Sequence, residues 1–318
     1  MSGHGFASAF ATELEEYLAF KEKLGFYGNS RVWYLKRFDA YCVEHDRKLF
    51  DRETVEGWVS AQLERSGLYR SWMSYIRDFG RWLLAHGDER AYVLSERWKA
   101  SFVPAHPYLL TSHEIELFFT AAAQLGTHSP WQWQAVGFFT LMHSCGIRTG
   151  EARALLARQV DLNHGHLDIF SSKGNRSRRL PLNGEVIEVL AACDQASRKH
   201  FGACRGTFFV SATGNQVTAA TVGKVFNRIW DQAGLRRPGG GQQPRPYDFR
   251  HHFAYANIER WMQCGTDVTA MLPYLSRYMG HATVESTFYY IHTSPDFMDA
   301  YAQITRKSQS LLPEVGFA

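Results

Sequence analysis

The N-terminal third of the chain places apolar residues at steps of three and four, which is the period of an amphipathic helix. The pattern predicts four helices, over residues 6–24, from Ser30 onward, over residues 53–65 and over residues 69–85. In the last of these helices the apolar face is rich in aromatic residues between Trp72 and Trp82, which we interpret as core packing. This part of the sequence therefore predicts a compact four-helix unit.

The helical pattern lapses before Thr111, where Pro104 and Pro107 interrupt a polar and aromatic stretch. Thr111 has the character of a helix N-cap, and Glu114 places an acid in the first turn of the helix that follows. These signals divide the chain into a first domain at residues 1–103, a linker at residues 104–110 and a second domain at residues 111–318.

The second domain is predicted to be mainly helical, with one interruption by strands. Apolar residues form two short runs on either side of the turn-forming stretch 163–166, which indicates two strands around a turn. Residues 178–182 supply a third candidate strand, and Lys173 then lies at the tip of a hairpin. Helical patterning returns beyond Asn183. The predicted fold class is mainly α with a small antiparallel β-sheet in the second domain.

Charge is nearly balanced overall but unevenly distributed. The chain has 35 Lys and Arg against 31 Asp and Glu, which gives a formal net charge of +4 and a sequence pI near 8.7. This excess favours an anionic partner. Candidate phosphate-facing side chains lie on the second predicted helix, on the hairpin and in a Gly/Pro-rich loop: Arg31, Lys36, Arg37, Arg176, Arg178, Arg179 and Arg245.

Cysteine usage and hydropathy argue against several classes of protein. The five cysteines are odd in number and include no C-x-x-C pair, so we expect reduced core thiols instead of a disulfide framework or a zinc cluster. The N-terminus lacks the character of a signal sequence, and no stretch reaches the apolar length of a membrane span. We therefore expect a cytoplasmic protein that uses no metal or other cofactor.

Two arginines stand in motifs that suit the binding of a phosphodiester. Arg148 lies in Gly-Ile-Arg-Thr-Gly-Glu, where glycines allow close backbone approach and Glu151 follows one helical turn later to orient the guanidinium. Arg250 lies in Phe-Arg-His-His-Phe-Ala, after the Gly/Pro-rich loop. Two guanidinium groups that each bind two oxygens suit the charge of a pentavalent phosphorus.

Three further side chains supply an acid for the leaving group and a nucleophile. Lys173, in Ser-Lys-Gly-Asn, is placed to protonate a departing 5′ oxygen. Tyr290 follows His281 by nine residues, and a phenolate is both a competent nucleophile and a good leaving group for the reverse step. Tyr289 competes for this role. In a helix the two tyrosines would point about 100° apart, and the spacing from His281 favours Tyr290.

Taken in order, four motifs resemble the signature boxes of the tyrosine recombinases of the phage integrase type, including those of transposons and integrative elements. They are Gly-Ile-Arg-Thr-Gly-Glu, Ser-Lys-Gly-Asn, Phe-Arg-His-His-Phe-Ala and Met-Gly-His-(eight residues)-Tyr, within about residues 108–300. The resemblance implies site-specific cleavage and rejoining of DNA through a 3′-phosphotyrosyl bond and a Holliday junction. The roles it implies are the nucleophile at Tyr290, phosphate binding at Arg148 and Arg250, protonation of the leaving oxygen by Lys173, assistance to the nucleophile by His281, and support of the first arginine by Glu151.

The resemblance also implies an assembly on DNA. The N-terminal unit is similar in size and position to the family's core-binding (SAM-like) DNA-binding domain, and in the family the two domains form a C-shaped clamp around double-stranded DNA. Residues 294–318 resemble a tail that docks onto a neighbouring protomer. The implied partners are inverted-repeat core sites, three further copies of the chain in a homo-tetramer on two sites, and helper proteins, all at the nucleoid.

One position departs from the family pattern. Tyr247 stands where the family usually has histidine, three residues before Arg250. A phenol donates one hydrogen bond to a phosphate oxygen but is poorly suited to carry protons near pH 7, so we expect retained activity with altered proton handling. Two alternatives stay open: a catalytically silent DNA-binding accessory protein, which Tyr247 favours, and a type IB topoisomerase, which the docking tail argues against.

Overall fold

The N-terminal part of the computed structural model is a bundle of four helices around an aromatic core, as the apolar spacing predicts. The structure describes residues 4–25, 28–66, 72–98, 107–126, 128–172, 176–202, 205–240, 242–281, 283 and 287. The helices are α1 (Ala11–Lys23), α2 (Asn29–Glu44), α3 (Arg52–Ser66) and α4 (Met73–Ala85). Trp72 and Trp82 are 0% and 7% exposed, which confirms that the aromatic stripe is core.

The chain divides into two units, Met1–Pro104 and Ala105–Ala318. In the second unit the described helices are α5 (Ser112–Ala123), α6 (Trp131–Cys145), α7 (Thr149–Ala154), α8 (Gly184–Phe201), α9 (Ala219–Gln232), α10 (Asp248–Gln263) and α11 (Val268–Met279). Helix α5 begins at the predicted cap: the Thr111 hydroxyl accepts from the Glu114 backbone N–H, and the Glu114 carboxylate accepts from the Thr111 backbone N–H. This reciprocal pair satisfies backbone donors that the first turn leaves unpaired.

The predicted antiparallel sheet is present, with strand order β1 (Val160–Asp161), β2 (His166–Ser172) and β3 (Arg176–Pro181). Successive side chains of a strand point to opposite faces, and directly paired residues share a face. Ile169 pairs with Arg178 on the inner face, whereas Asp168 pairs with Arg179 on the outer face. The pairing of β2 with β3 thus decides which of two adjacent arginines points inward.

Helix α6 is the centre of the second unit and packs against α5, α8 and α10. Rings of Phe118, Phe139 and Phe249 contact one another in this core, so the first turn of α10 is anchored to it. Helix α6 ends at Gly146, which has the left-handed φ of 57°. A Cβ at this position would lie 2.4 Å from the ring of Phe253, so glycine is required both by the turn and by the close approach of α10.

The cysteines only partly match their expected placement. Cys42, Cys145 and Cys193 are free and buried, but Cys264 is exposed after the end of α10, so the expectation of core thiols is wrong for Cys264. Cys204 lies outside the described residues. In the described part of the chain, no helix combines the length and the apolar character needed to cross a membrane.

Candidate active site

The turn between α6 and α7 holds Arg148 against Glu151, as the motif predicts. Arg148 is the N-cap of α7 and Glu151 lies three residues later in the first turn. The Glu151 carboxylate accepts from the Arg148 backbone N–H at 2.8 Å and from its Nη1 at 2.7 Å. One carboxylate therefore caps the helix and orients the guanidinium, and the negative charge lies where the helix dipole favours it.

A second arginine binds the same carboxylate. Arg178, on β3, donates from Nη1 and Nη2 to the two oxygens of Glu151 at 3.0 and 2.8 Å. Burial alone would raise the pKa of Glu151, but the hydrogen bonds and charge of Arg178, with those of Arg148, outweigh burial and hold it at about 2. The expectation that Arg178 faces a phosphate is wrong for this structure: its side chain is 9% exposed and bonded within the protein, because β3 directs it inward.

The C-terminal end of α11 brings three arginines together. Consecutive backbone carbonyls accept from different guanidinium groups: Tyr278 from Arg178 Nε at 2.8 Å, Met279 from Arg250 Nη2 at 2.8 Å, and Gly280 from Arg148 Nη2 at 2.6 Å. The last carbonyls of a helix lack intrahelical partners and carry the negative end of its dipole. The helix end is thus a natural acceptor for cations, and these bonds join motifs that are far apart in the sequence.

Arg250 is the most deeply buried member of this cluster, with 0% exposure. It projects from α10 and also donates from Nη1 to the Gly146 carbonyl, where α6 ends. Its Nη2 lies 2.9 Å from Nε2 of His281. Arg250 therefore bridges the C-terminal ends of α6 and α11 and also contacts the imidazole of His281.

The contacts of His281 define its protonation state. Because an arginine N–H can only donate, Nε2 accepts from Arg250, and Nδ1 then carries the proton and donates to Thr287 Oγ1 at 2.8 Å. Burial, followed by the charges of Arg250, Arg148 and Arg178, lowers the pKa of His281 to about 3. The ring is neutral at physiological pH.

Tyr247 lies just before α10 and beside the first arginine. It is half-buried and lines one cleft with Arg148, Glu151 and Phe170. Its ring packs edge-on against His251, with 4.9 Å between the ring centroids. The position that departs from the family pattern is therefore placed near the candidate phosphate-binding group.

Asp248, next to Tyr247, is a fully buried carboxyl at the start of α10. It accepts from the Arg245 backbone N–H at 2.7 Å, and the Arg245 guanidinium lies 3.8 Å away. Burial raises the pKa of Asp248 to about 6 in spite of these contacts.

The other predicted DNA-binding side chains differ in their local contacts. Arg31 is occupied by the Tyr17 hydroxyl and the Asp78 carboxylate, which corrects the expectation that it is free for solvent or phosphate. Arg37 stacks over the Trp33 ring, Lys36 is exposed, and Arg179 pairs with Asp168 on the outer face of the sheet. Lys173, Tyr289, Tyr290 and residues 294–318 lie outside the described residues, as does the side chain of Arg176.

Two other histidines of the unit, His143 and His252, pack against one another. His143 and His252 stack with ring centroids 5.2 Å apart, and burial lowers the pKa of His143 to about 4. Among the described residues, no three His, Cys, Asp or Glu side chains are grouped as metal ligands would be.

Sequence reasoning missed three parts of the cluster. The carbonyls at the end of α11 carry no side-chain signature, and Thr287 is an unremarkable residue within the last motif. The sequence shows the charge of Arg178 but not its partner, Glu151. The period-two alternation of its strand is the signal that separates it from Arg179.

The chain is similar to known integrases and recombinases over most of its length. Residues 109–296 match the sequence profile of the Phage integrase family. The putative integrase/recombinase y4rB of Sinorhizobium fredii is 29% identical over 314 residues, 94% of this chain and 98% of that protein. The tyrosine recombinase XerD of Bifidobacterium longum is 24% identical over 262 residues, 79% of this chain and 80% of that protein.

Solved structures share the fold. XerH site-specific recombinase bound to difH substrate aligns over 94% of this chain and 85% of that chain, with a TM-score of 0.60 and 21% identity. The Tn1549 transposon integrase in complex with a circular intermediate DNA aligns over 92% and 99%, with a TM-score of 0.60 and 15% identity. The family match covers more than half of the chain, which therefore belongs to the phage integrase family of tyrosine recombinases.

Proposed function

We propose that this tyrosine recombinase cuts and rejoins double-stranded DNA at a specific site through a covalent bond between Tyr290 and the 3′ phosphate. One observation carries the proposal: Arg148, Arg250 and His281, which stand in three separate motifs, meet at the C-terminal end of α11. Cations clustered around one point suit the charge that develops on a transferring phosphoryl group. The family membership of the chain supports the same reaction.

The chemistry needs no external energy. Tyr290 loses its phenolic proton to water, its oxygen attacks phosphorus, the bond from phosphorus to the 5′ oxygen breaks, and Lys173 gives its proton to that oxygen. Arg148 and Arg250 stabilise the pentavalent transition state. A 5′ hydroxyl then gives its proton back to Lys173 and attacks the phosphotyrosine, and the released Tyr290 oxygen takes a proton from water, so the number of phosphodiester bonds is conserved.

Glu151 and His281 act on these cations. Glu151 stays ionised and keeps Arg148 in place, while neutral His281 accepts from Arg250. We propose that His281 assists the reaction in this neutral form, and that Tyr247 donates one hydrogen bond from its cleft to a phosphate oxygen.

Arg250 is fully buried and bonded to the carbonyls of Gly146 and Met279, so a phosphate oxygen has to replace a protein acceptor to reach it. We expect that exchange when DNA binds. Amide hydrogen exchange of residues 276–281 with and without DNA tests it, and unchanged protection would contradict it.

The assembly is proposed as the family resemblance implies. Four protomers act on two inverted-repeat core sites, residues 294–318 dock onto a neighbouring copy, and helper proteins take part at the nucleoid. Residues 1–103 bind the core site and residues 111–318 catalyse. Arg37, Lys36, Arg176, Arg179 and Arg245 remain candidate phosphate contacts.

A metal-free cleavage assay tests the proposal. The binding site is first selected from random duplexes with the full-length protein, and a nicked suicide duplex carrying that site is then incubated with the protein. We expect a protein–DNA adduct that resists SDS and is lost in Tyr290→Phe, while Tyr289→Phe retains it. Loss of the adduct in Tyr289→Phe but not in Tyr290→Phe would identify Tyr289 as the nucleophile.

Two other outcomes would support the alternatives. Tight binding without any adduct would indicate a silent accessory protein. Relaxation of supercoiled plasmid by a monomer, without exchange between two sites, would indicate a topoisomerase.

A further inference from the structure

We infer that Arg178 is a positioning residue of the cleavage site: it fixes the Glu151 carboxylate, and through it the guanidinium of Arg148, in the orientation that binds the scissile phosphate. This inference deepens the proposed function and rests on it. It assigns Arg178 a role inside the site, in place of a contact with the DNA backbone.

The two carboxylate oxygens of Glu151 are shared evenly between two arginines. Oε1 accepts from Arg148 Nη1 at 2.7 Å and from Arg178 Nη1 at 3.0 Å. Oε2 accepts from the Arg148 backbone N–H and from Arg178 Nη2, both at 2.8 Å. Rotation of the carboxylate would break bonds to both partners, so Arg178 fixes the plane in which Arg148 is held.

Arg178 itself is fixed by a third bond. Its Nε donates to the Tyr278 carbonyl, so the two edges of the planar guanidinium bind different elements. The side chain is 9% exposed and that of Glu151 7%, and at such burial an unbalanced charge is costly. Without Arg178, the buried Glu151 carboxylate would keep only Arg148 as a counter-charge.

Gly280 makes room for this arrangement. A Cβ there would lie 2.8 Å from Arg178 Nη1 and 3.1 Å from its Cζ. The same residue offers its carbonyl to Arg148. Arg178 and Arg148 therefore meet the end of α11 at one residue, from the strand and from the helix N-cap.

Lysine at position 178 cannot make the same set of hydrogen bonds. An ammonium is a point charge on a flexible stem, whereas the bonds to Glu151 and Tyr278 need donors on two edges of one plane. A role through charge alone would survive Arg178→Lys. A positioning role predicts that Arg178→Lys fails.

The experiment measures adduct formation on the suicide duplex at saturating DNA, together with the Kd for the uncleaved site. For Arg178→Lys and Arg178→Gln we expect the rate at saturation to fall roughly 10- to 100-fold, by analogy with residues that orient the ligands of metal sites, with little change in Kd. The double variant Arg178→Gln, Glu151→Gln should be no slower than Glu151→Gln, because both changes break one linkage. Wild-type rates in Arg178→Lys, or penalties that multiply in the double variant, would overturn the inference.

A pH profile separates positioning from a general loss of structure. In Arg178→Gln the pKa of Glu151 should rise, because Arg148 alone then offsets the effect of burial, so the cleavage rate should fall at acid pH where the wild type stays level. A matched control is Arg205→Gln. Arg205 is likewise buried and shares the Asp194 carboxylate with Arg198, outside the cluster at the end of α11. Arg205→Gln should lower the free energy of unfolding without changing the cleavage rate or the pH profile of that rate.

Failure of the proposed function would be recognised separately. If the wild type forms no adduct, the strand-transfer proposal fails, but the carboxyl of Glu151 can still be titrated by carbon-13 NMR in the DNA-free protein. A pKa of Glu151 that is the same in wild type and Arg178→Gln would contradict the positioning role in either case.

Discussion

Nε2 of His281 accepts a hydrogen bond from Arg250 at 2.9 Å, so the proton of this neutral imidazole lies on Nδ1. With a pKa of about 3 the ring does not titrate near neutrality. The lone pair that a general base would use is directed at Arg250. His281 therefore serves in this state as an acceptor that holds an arginine.

Thr287→Val should weaken cleavage through His281. Thr287 is fully buried and its hydroxyl accepts from Nδ1, so an isosteric valine removes this acceptor and weakens the preference for the tautomer that binds Arg250. We expect the rate of adduct formation at saturating DNA to fall roughly 10-fold, by analogy with the outer contacts of metal sites. Thr287→Ser should restore it, and a wild-type rate in the valine variant would refute the role.

Gly280→Ala should damage both stability and cleavage. Gly280 has a φ of 68°, where alanine costs about 1–2 kcal/mol, and the added Cβ would also displace Arg178. Gly265→Ala is the matched control, because Gly265 has the same φ of 68° but nothing within 4 Å of the added atom. Urea unfolding should show a loss in both variants, while the cleavage rate falls only for Gly280→Ala. Equal cleavage by the two would exclude the steric effect on Arg178.

Asp248→Asn should become more stabilising as the pH rises. The folded pKa of Asp248 is raised to about 6 from 3.8, so the native state binds this proton more tightly and the wild type loses stability as the pH rises through that window. Asparagine keeps an oxygen for the Arg245 N–H and has no charge to bury. We expect the difference in unfolding free energy to grow by up to about 3 kcal/mol between about pH 4 and pH 7.

Asp194→Asn is the control for this pH dependence, since hydrogen bonds and charges from Arg205 and Arg198 outweigh burial and lower the pKa of Asp194. The ionised Asp194 carboxylate stabilises the native state above the pKa that this group has in the unfolded chain. Asp194→Asn should therefore become less stable, relative to wild type, as the pH rises. Urea titrations across the range measure both. Parallel curves for wild type and Asp248→Asn would contradict the raised pKa.

Tyr247→Phe tests the residue that departs from the family pattern. It removes the hydroxyl from the cleft shared with Arg148 and leaves the ring contact with His251. If the phenol donates to the phosphate in the transition state, the cleavage rate should fall roughly 100-fold with Kd unchanged. An unaltered rate would assign Tyr247 to packing.

Local signals predicted much of the fold. The N-cap pair of Thr111 and Glu114, the aromatic face of α4 and the turn between β1 and β2 are each determined by neighbours in sequence, and the structure contains them. The contact of Arg148 with Glu151 belongs to the same class, because the two residues are one helical turn apart.

The long-range parts of the site were beyond such signals. Arg178 binds a carboxylate 27 residues away, and Arg31 binds Asp78, 47 residues away. Both looked like surface cations because a sequence shows charge but not the distant partner. Likewise, nothing in the sequence distinguishes the last carbonyls of α11 from other backbone groups.

The three arginine bonds at the end of α11 have a consequence for the affinity for DNA. Freezing a long side chain on binding costs about 0.5–1.5 kcal/mol, and here that loss of rotamer freedom has already occurred during folding. Arg148, Arg178 and Arg250 are therefore ordered before DNA binds, and their mutual repulsion is relieved by Glu151 and the helix dipole. A phosphate bound by Arg148 and Arg250 would meet side chains that are already ordered, and its binding would require the exchange of a carbonyl acceptor of Arg250 but no ordering of a long side chain.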